Sequence, residues 1–347
     1  MTDQIPTADQ LPEEREEVDV PAREVGRKSA VPVAPAVAIE EASPFDTASE
    51  TLTYESGVEL KARSQWAYAR IRFFRHKLAV VSLIVLILVS LVGIFANRIA
   101  PYGFDELDLN NIAAKPTLTD HHFFGTDLLG RDYFSRVIFG VRTSLWVAFF
   151  VATISTVIGT TIGAIAGYYG GTIDNLLMRV TDLFLVLPFL AVLLTVSAFM
   201  GQGKPWRVGL IVALLLWTGL ARIVRGVFLS LREKEFVEAA KASGAGDMRI
   251  IIRHILPNCV GPIVVTMTLF IATAILLEAA LSFLGFGIQP PTPALGKLIA
   301  DGETQGFDAW WLVTFPGLVI VLVCLAVNFV GDGLRDALDP TQQRIRA

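Results

Sequence analysis

The sequence has 347 residues, of which 53% are hydrophobic and 18% are charged, and its mean hydropathy is +0.56. This composition excludes an ordinary soluble globular protein and places most of the chain in a lipid bilayer. The net charge of −4 and its distribution give no indication of a nucleic-acid-binding surface. The two cysteines, Cys259 and Cys324, lie at or within hydrophobic runs, which favours packing over a disulfide framework or a zinc site.

The N-terminal region differs in composition from the rest of the chain. Residues 1–60 are acidic and rich in proline and alanine without a sustained apolar period, which predicts a disordered cytoplasmic tail. This tail is not expected to be a secretory signal peptide, because the first apolar run begins only near Leu78. Residues 61–77 are predicted to be a basic juxtamembrane segment, and by the positive-inside rule they place the N-terminus in the cytoplasm. Its basic residues before the first apolar run include Arg70, Arg72, Arg75 and Lys77.

Six apolar stretches have roughly the 20-residue length that a membrane-spanning helix requires. They predict an all-α integral membrane protein, because the strands of a transmembrane barrel would be shorter and would alternate in polarity. Alternation from a cytoplasmic N-terminus puts both termini inside, together with a Lys- and Arg-rich region between the fourth and fifth stretches. The predicted spans are 78–98, 143–166, 180–199, 208–229, 260–283 and 311–330. They leave an extracytoplasmic loop at 99–142, a core of five spans at 143–334 and a cytoplasmic C-terminus at 335–347.

The extracytoplasmic loop ends in a charged stretch. Asp127 and Arg131 stand four residues apart, and so do Asp132 and Arg136. This spacing predicts an interfacial helix that pairs its own charges. A structural cap on the outer face and a direct contact with a substrate both agree with such a helix.

Three residues are unusual for a bilayer interior. Pro188 removes a backbone hydrogen bond and predicts a kink in the third span. The kink is expected either to form part of a gate or only to give the helix its shape. Asp182, at the entry to that span, is explained either by the helix macrodipole or by a role in transport. Glu278 lies in the fifth span, where an ionised group is costly. It is expected either to form a structural hydrogen bond or to face the translocation pathway.

The second span contains Gly159, Gly163 and Gly167 at intervals of four residues. Small residues at this spacing let two helices approach closely. The pattern predicts tight packing, either within the bundle or against a partner subunit.

Residues 231–258 form the only long amphipathic segment between hydrophobic stretches. The pattern predicts a helix, a bend and a second helix. Gly244 permits the bend, Asp247 is placed to cap the second helix, and Pro257 is expected to end it.

The first helix of this segment is predicted to carry a docking face. Phe236, Val237 and Ala240 are expected to share one side of it by helical spacing. The alternative is an ordinary cytoplasmic loop in which Glu238 pairs with neighbouring lysines.

The amphipathic segment resembles the EAA loop in the membrane subunits of ATP-binding-cassette (ABC) importers. It departs from the usual pattern at His254, where many family members have an aliphatic residue. The resemblance implies a coupling helix that sits in a groove of a separate ATPase subunit and passes nucleotide-driven closure to the membrane helices. The matching residues are Glu238, Ala239, Ala240, Gly244, Leu256 and Pro257. Residues 231–258 are called the EAA segment below.

Two further signatures resemble the dipeptide, oligopeptide and nickel permeases among these importers. The outer signature, ahead of the second span, consists of Gly125, Thr126, Asp127, Gly130, Arg131, Asp132, Ser135 and Arg136. The C-terminal signature, expected after the last span, consists of Asn328, Gly331, Asp332, Arg335, Asp336 and Asp339. Its charges are predicted to pair at the cytoplasmic end of the helix.

The resemblance implies the fold of a type I ABC importer permease in a bacterial inner membrane. It implies a homologous second permease subunit, two ATPase subunits or domains, and an extracytoplasmic binding protein that delivers the substrate. The sequence has no GxxxxGK[ST] loop for ATP, so the chain itself is not expected to be an enzyme or to hold a cofactor or a metal. ATP and Mg²⁺ are expected on the ATPase partners.

The implied function is to form half of the translocation pathway for dipeptides or oligopeptides. Nickel import by the same type of subunit is the closest alternative, because the binding protein mostly selects the substrate. A secondary transporter is a further alternative, although such proteins carry ionisable residues in the middle of several spans, and only Glu278 fits that description here.

Overall fold

The computed structural model describes residues 65–117, 122–201 and 203–338. Regular secondary structure within these ranges is helical, with one isolated antiparallel bridge between Thr126 and Asp132. The predicted all-α fold is therefore confirmed. The predicted N-terminal tail and Asp339 of the C-terminal signature lie outside the described residues.

The α-helices of the described residues are numbered in chain order. They are α1 Gln65–Arg75, α2 Lys77–Ile94, α3 Ala96–Ile99, α4 Tyr133–Tyr169, α5 Gly171–Val186, α6 Phe189–Met200, α7 Pro205–Arg232, α8 Glu235–Ala242, α9 Asp247–Arg249, α10 Val260–Phe283, α11 Leu295–Glu303 and α12 Trp311–Leu338.

Five helical stretches in the described ranges are long and apolar enough to cross a membrane. They are α2, α4, α7, α12 and the continuous stretch that ends in α10, and the bent pair of α5 and α6 makes a sixth crossing if it is counted as one span. The six predicted spans correspond to these elements. However, α4 begins at Tyr133 and α12 ends at Leu338, well outside the predicted limits of residues 143 and 330. Hydropathy marks where the apolar run ends, and a helix can continue beyond that point.

Pro188 breaks the third span completely, where the sequence predicted a kink. The axes of α5 and α6 are bent by 89° at this point. Leu187, before the proline, has an extended backbone with φ −66° and ψ 138°, which is the conformation that a following proline favours. Gly170, with φ +67°, similarly separates α4 from α5.

The long helices α4 and α7 pack closely along the stripe of glycines in α4. A Cβ atom on Gly163 would lie 2.5 Å from the carbonyl oxygen of Ala221, and one on Gly167 would lie 2.5 Å from Cβ of Phe228. Gly159 approaches α7 in the same way. The stripe therefore serves packing within the chain, which decides between the two alternatives left open by the sequence.

Candidate functional site

The EAA segment begins at the last two residues of α7, continues through α8, turns at Gly244 and enters α9. Gly244 has a φ of +79°, in the left-handed region that favours glycine. The backbone then forms a π-helical turn over Ile250–Ile255 and a 3-10 turn over Leu256–Cys259, and it enters α10 without a loop. Pro257 therefore does not end the helical path, contrary to the prediction, because a proline in the first positions of a new turn gives up no hydrogen bond of that turn.

One face of the EAA segment packs against α4 and α7. Val237, Ile250 and Ile255 are completely buried there, together with Phe228 of α7. Complete burial of an aliphatic side chain of this size stabilises the packed arrangement by roughly 1.5–3 kcal/mol relative to leaving the side chain exposed. The packing attaches the segment firmly to the helix bundle.

A second attachment connects the EAA segment to the end of α4. The Tyr168 hydroxyl donates to Oδ1 of Asp247 over 2.7 Å, and Arg232 Nη1 donates to the Tyr168 carbonyl over 3.1 Å. Lys241 Nζ lies 5.9 Å from the centre of the Tyr168 ring, within cation–π range. Asp247 thus faces α4, and the capping position before α9 is Gly246, so the predicted cap is wrong. Sequence reasoning missed Tyr168, because no local pattern connects two residues 79 positions apart.

The opposite face of the EAA segment is open. Its apolar side chains Phe236, Met248 and Ile252 are 41%, 64% and 56% exposed. Phe236 does not share the buried face of Val237, contrary to the prediction, because neighbouring residues stand about 100° apart around a helix. Ala240 lies between the two directions and is half-buried. Val237 and Ala240 pack inward instead.

The EAA signature residues divide between these two faces. Glu238, Ala239 and Gly244 are exposed, while Ala240 and Leu256 are half-buried against the bundle. The Glu238 carboxylate makes no salt bridge with any described residue. The local ion pairs of the alternative interpretation are therefore absent, and Glu238 remains available on the exposed face.

Two ion pairs join α5 to α7. Asp174 accepts hydrogen bonds from Nε and Nη2 of Arg225 over 2.5 and 2.6 Å, a bidentate arrangement. Asp182 pairs with Arg222, and both of these side chains are about half exposed. Asp182 therefore has a partner within the chain, although an exposed pair contributes only ~0–1 kcal/mol.

Glu278 is completely buried in the region where α10 contacts α4. Its carboxylate accepts hydrogen bonds from the Ser144 hydroxyl at 2.8 Å and the Ser282 hydroxyl at 2.7 Å. The same hydroxyls accept from the backbone N–H groups of Leu295 at 3.4 Å and Ile288 at 3.2 Å. Glu278 thus holds the loop after α10 against the bundle, with both of its oxygens bonded to side chains of the chain itself.

The outer signature forms a compact polar cluster at the start of α4. Asp127 pairs with Arg131 Nε at 2.7 Å and with Arg136. Asp132 does not pair with Arg136; it caps α4 by accepting from the Ser135 backbone N–H at 2.7 Å. The predicted interfacial helix is therefore wrong: Asp127 and Arg131 lie in a turn, and Arg136 already belongs to α4.

The remaining members of the outer signature shape the backbone around this cluster. Gly125 and Gly130 have φ values of +74° and +75°, where side chains are strained. The Thr126 hydroxyl donates to the Asn111 carbonyl at 2.5 Å and accepts from the Ala114 N–H at 2.8 Å. These contacts join the preceding loop to the start of α4.

Sequence reasoning gave no role to His122, which lies buried beneath the outer signature. Its Nδ1 is 2.9 Å from Oδ1 of Asp132, and its Nε2 is 3.5 Å from Oδ2 of Asp108. A hydrogen bond from the Asn111 side chain holds the pKa of Asp108 below its usual value. Within the described residues, no group of three or more His, Cys, Asp or Glu side chains is placed to hold a metal ion.

The described members of the C-terminal signature lie within α12, whereas the sequence predicted them after the last span. Gly331 is buried, and a Cβ there would lie 2.7 Å from the Thr268 hydroxyl of α10. The polar members Asn328, Asp332, Arg335 and Asp336 are exposed. The charged members form no salt bridge with described residues, so the predicted pairing is wrong in this part of the chain; exposed charges gain little from pairing in water.

Comparison with known families matches most of the described chain. Residues 159–344 match the family of binding-protein-dependent transport system inner membrane components. Residues 64–116 match the N-terminal transmembrane domain of oligopeptide transport permease C.

Individual relatives cover about four fifths of the chain. The oligopeptide transport system permease protein OppC of Haemophilus influenzae is 43% identical over 82% of this chain and 91% of its own length. The dipeptide transport system permease protein DppC of Alkalihalophilus pseudofirmus is 43% identical over 80% of this chain and 91% of its own length. A chain of the inward-facing MetNI methionine ABC transporter aligns with a TM-score of 0.46 and 22% identity, over 58% of this chain and 94% of that one. The protein belongs to the family of binding-protein-dependent transport system inner membrane components.

Proposed function

We propose that the chain is a permease subunit of an ATP-driven peptide importer in a bacterial inner membrane. Relatives that are 43% identical over about four fifths of the chain are named for oligopeptide and dipeptide transport, which supports peptides as the substrate class. The chain forms half of the translocation pathway, and a homologous permease subunit forms the other half. An extracytoplasmic binding protein delivers the peptide, and both termini of this chain lie in the cytoplasm.

The exposed face of the EAA segment is the observation that supports coupling to an ATPase. Phe236, Met248 and Ile252 offer apolar contact area, and Glu238 offers a charge without a partner in the described chain. The buried face of the same segment is attached to α4 and α7. A partner that binds the open face is therefore connected to the helix bundle through packed side chains, and its movement is transmitted to the bundle. The ATPase partners bind ATP and Mg²⁺ and hydrolyse the nucleotide.

The substrate class is tested by uptake in cells that carry or lack this chain. A labelled dipeptide, a labelled tetrapeptide and nickel ions are supplied in parallel. We expect deletion to abolish peptide uptake and to leave nickel uptake unchanged. Loss of nickel uptake alone would overturn the peptide assignment without affecting the family assignment.

The coupling role is tested by the substitution Glu238→Lys. Reversing this charge on the docking face is expected to reduce peptide uptake and peptide-stimulated ATP hydrolysis by at least tenfold, because a mismatched charge in an interface costs several kcal/mol. The matched control is Glu303→Lys, an exposed charge reversal at the end of α11. Unchanged ATPase stimulation in the Glu238→Lys transporter would contradict the coupling role.

A further inference from the structure

An apolar groove of about 590 Å³ opens between α1, α10 and α12. Its walls include Phe73 and Phe74 of α1, Val264 of α10, and Leu334 and Ala337 of α12. This volume lies within the range of roughly 300–1,000 Å³ that is typical of ligand sites. Phe74 is 61% exposed, so an apolar surface remains uncovered in the described chain.

One basic side chain lines the same groove, and further basic residues follow it in the sequence. Arg70 lines it directly and is the only charged residue that does so among the described residues. Arg75 and Lys77 follow along the chain at the junction of α1 and α2. All three side chains are exposed, and none forms a salt bridge with a described residue.

The position of the groove along the bundle specifies the kind of ligand it fits. Val264 lies one turn after the EAA segment enters α10, and Leu334 and Ala337 lie in the last turns of α12. The groove is therefore at the end of the bundle that carries the EAA segment, where apolar helix surface gives way to basic residues. A ligand for this place needs an apolar chain and an anionic head.

We propose that the groove binds an anionic phospholipid, with an acyl chain against the Phe73 and Val264 walls and the phosphate at Arg70. A guanidinium group pairs with phosphate through charge-assisted hydrogen bonds. Basic sites between membrane helices on the cytoplasmic side select anionic head groups in the same way. The site goes beyond peptide transport and does not depend on which substrate the transporter carries.

The test is lipid binding to the purified full-length chain in detergent, measured by native mass spectrometry. Phosphatidylglycerol and phosphatidylcholine with the same acyl chains are titrated separately. The expected result is a Kd at least about tenfold lower for phosphatidylglycerol, since each basic residue near an anionic lipid strengthens binding by roughly fivefold. Equal Kd values for the two lipids would overturn the proposal.

Two classes of variant separate head-group recognition from chain binding. Arg70→Gln is expected to raise the Kd for phosphatidylglycerol about fivefold and to leave that for phosphatidylcholine unchanged. Val264→Trp fills the groove and is expected to weaken the binding of both lipids. Leu334→Phe serves the same purpose if the Val264→Trp variant fails to fold. The matched controls are Arg98→Gln and Leu318→Trp, which change an exposed arginine and an exposed leucine away from the groove.

Two outcomes would show that the groove is not a phospholipid site. Unchanged lipid binding in both groove-filling variants would show that the lipid binds elsewhere. Stronger lipid binding after deletion of residues 339–347 would show that the end of the chain is the natural occupant. Either result would overturn the assignment of the groove to a phospholipid.

Discussion

At the scale of single residues, the Tyr168 hydroxyl is the polar connection between α4 and the second half of the EAA segment. We predict that Tyr168→Phe keeps the ring packing and loses the bond to Asp247. A hydrogen bond to a charged group contributes about 1.5–3 kcal/mol. Amide hydrogen exchange over residues 247–255 is therefore expected to accelerate by roughly tenfold or more.

The neighbouring tyrosine provides the control for this experiment. Tyr169 is 46% exposed, and its ring forms a T-shaped pair with the Tyr168 ring. Tyr169→Phe removes the same atom, and exchange over residues 247–255 should stay at the wild-type rate. Equal exchange rates in both variants would show that the Tyr168 hydroxyl does not hold the segment.

Glu278 allows a second prediction at the same scale. Glu278→Ala leaves the hydroxyls of Ser144 and Ser282 without their acceptor and opens a cavity, so we expect a loss of about 2–4 kcal/mol in unfolding free energy. Glu278→Gln keeps the shape and one carbonyl acceptor and should cost less than about half of that. Thermal unfolding of the purified variants measures the difference. A Gln variant as unstable as the Ala variant would mean that the negative charge itself is needed.

At the scale of elements, the contact between α4 and α7 depends on the glycine stripe. We predict that Gly163→Val forces the two helices apart, because the new side chain would meet the Ala221 carbonyl at 2.5 Å and Val224 Cβ at 2.8 Å. Overpacking of this kind costs typically 1–3 kcal/mol. A lower midpoint of thermal unfolding is the expected observation.

Gly219 in α7 is the matched position for this test. A Cβ there has nothing within 4 Å, so Gly219→Ala is expected to stabilise the helix by up to about 1 kcal/mol. If the two substitutions lowered the midpoint equally, close helix contact would not be the reason for the glycines in α4.

Local patterns predicted the elements much better than they predicted the contacts between them. The spans and the bend at Gly244 follow from properties of consecutive residues, namely apolar runs and backbone freedom. Pro188 marked the third span as irregular, but a proline alone does not specify an 89° bend. Ser144 and Glu278 lie 134 positions apart, so their bond depends on how α4 and α10 pack and leaves no trace in either local sequence.

At the scale of the whole molecule, the orientation in the membrane is the main testable feature. We predict that a cysteine introduced as Ser243→Cys reacts with a membrane-impermeant maleimide only in permeabilised cells. Thr304→Cys, after α11, should react in intact cells. Both positions are exposed, whereas the native Cys259 and Cys324 are buried and give little background. The reverse labelling pattern would invert the proposed topology.

The unbroken path from the EAA segment into α10 has a mechanical consequence. α10 contains 24 residues, so it is a continuous helix roughly 36 Å long, about the thickness of the hydrocarbon core. Its near end carries the EAA segment, and its far end carries Glu278 and the loop that this side chain holds. No flexible linker separates the two ends to absorb an axial displacement. An axial displacement of α10 at one surface of the bilayer therefore moves its end at the other surface as part of the same rigid body.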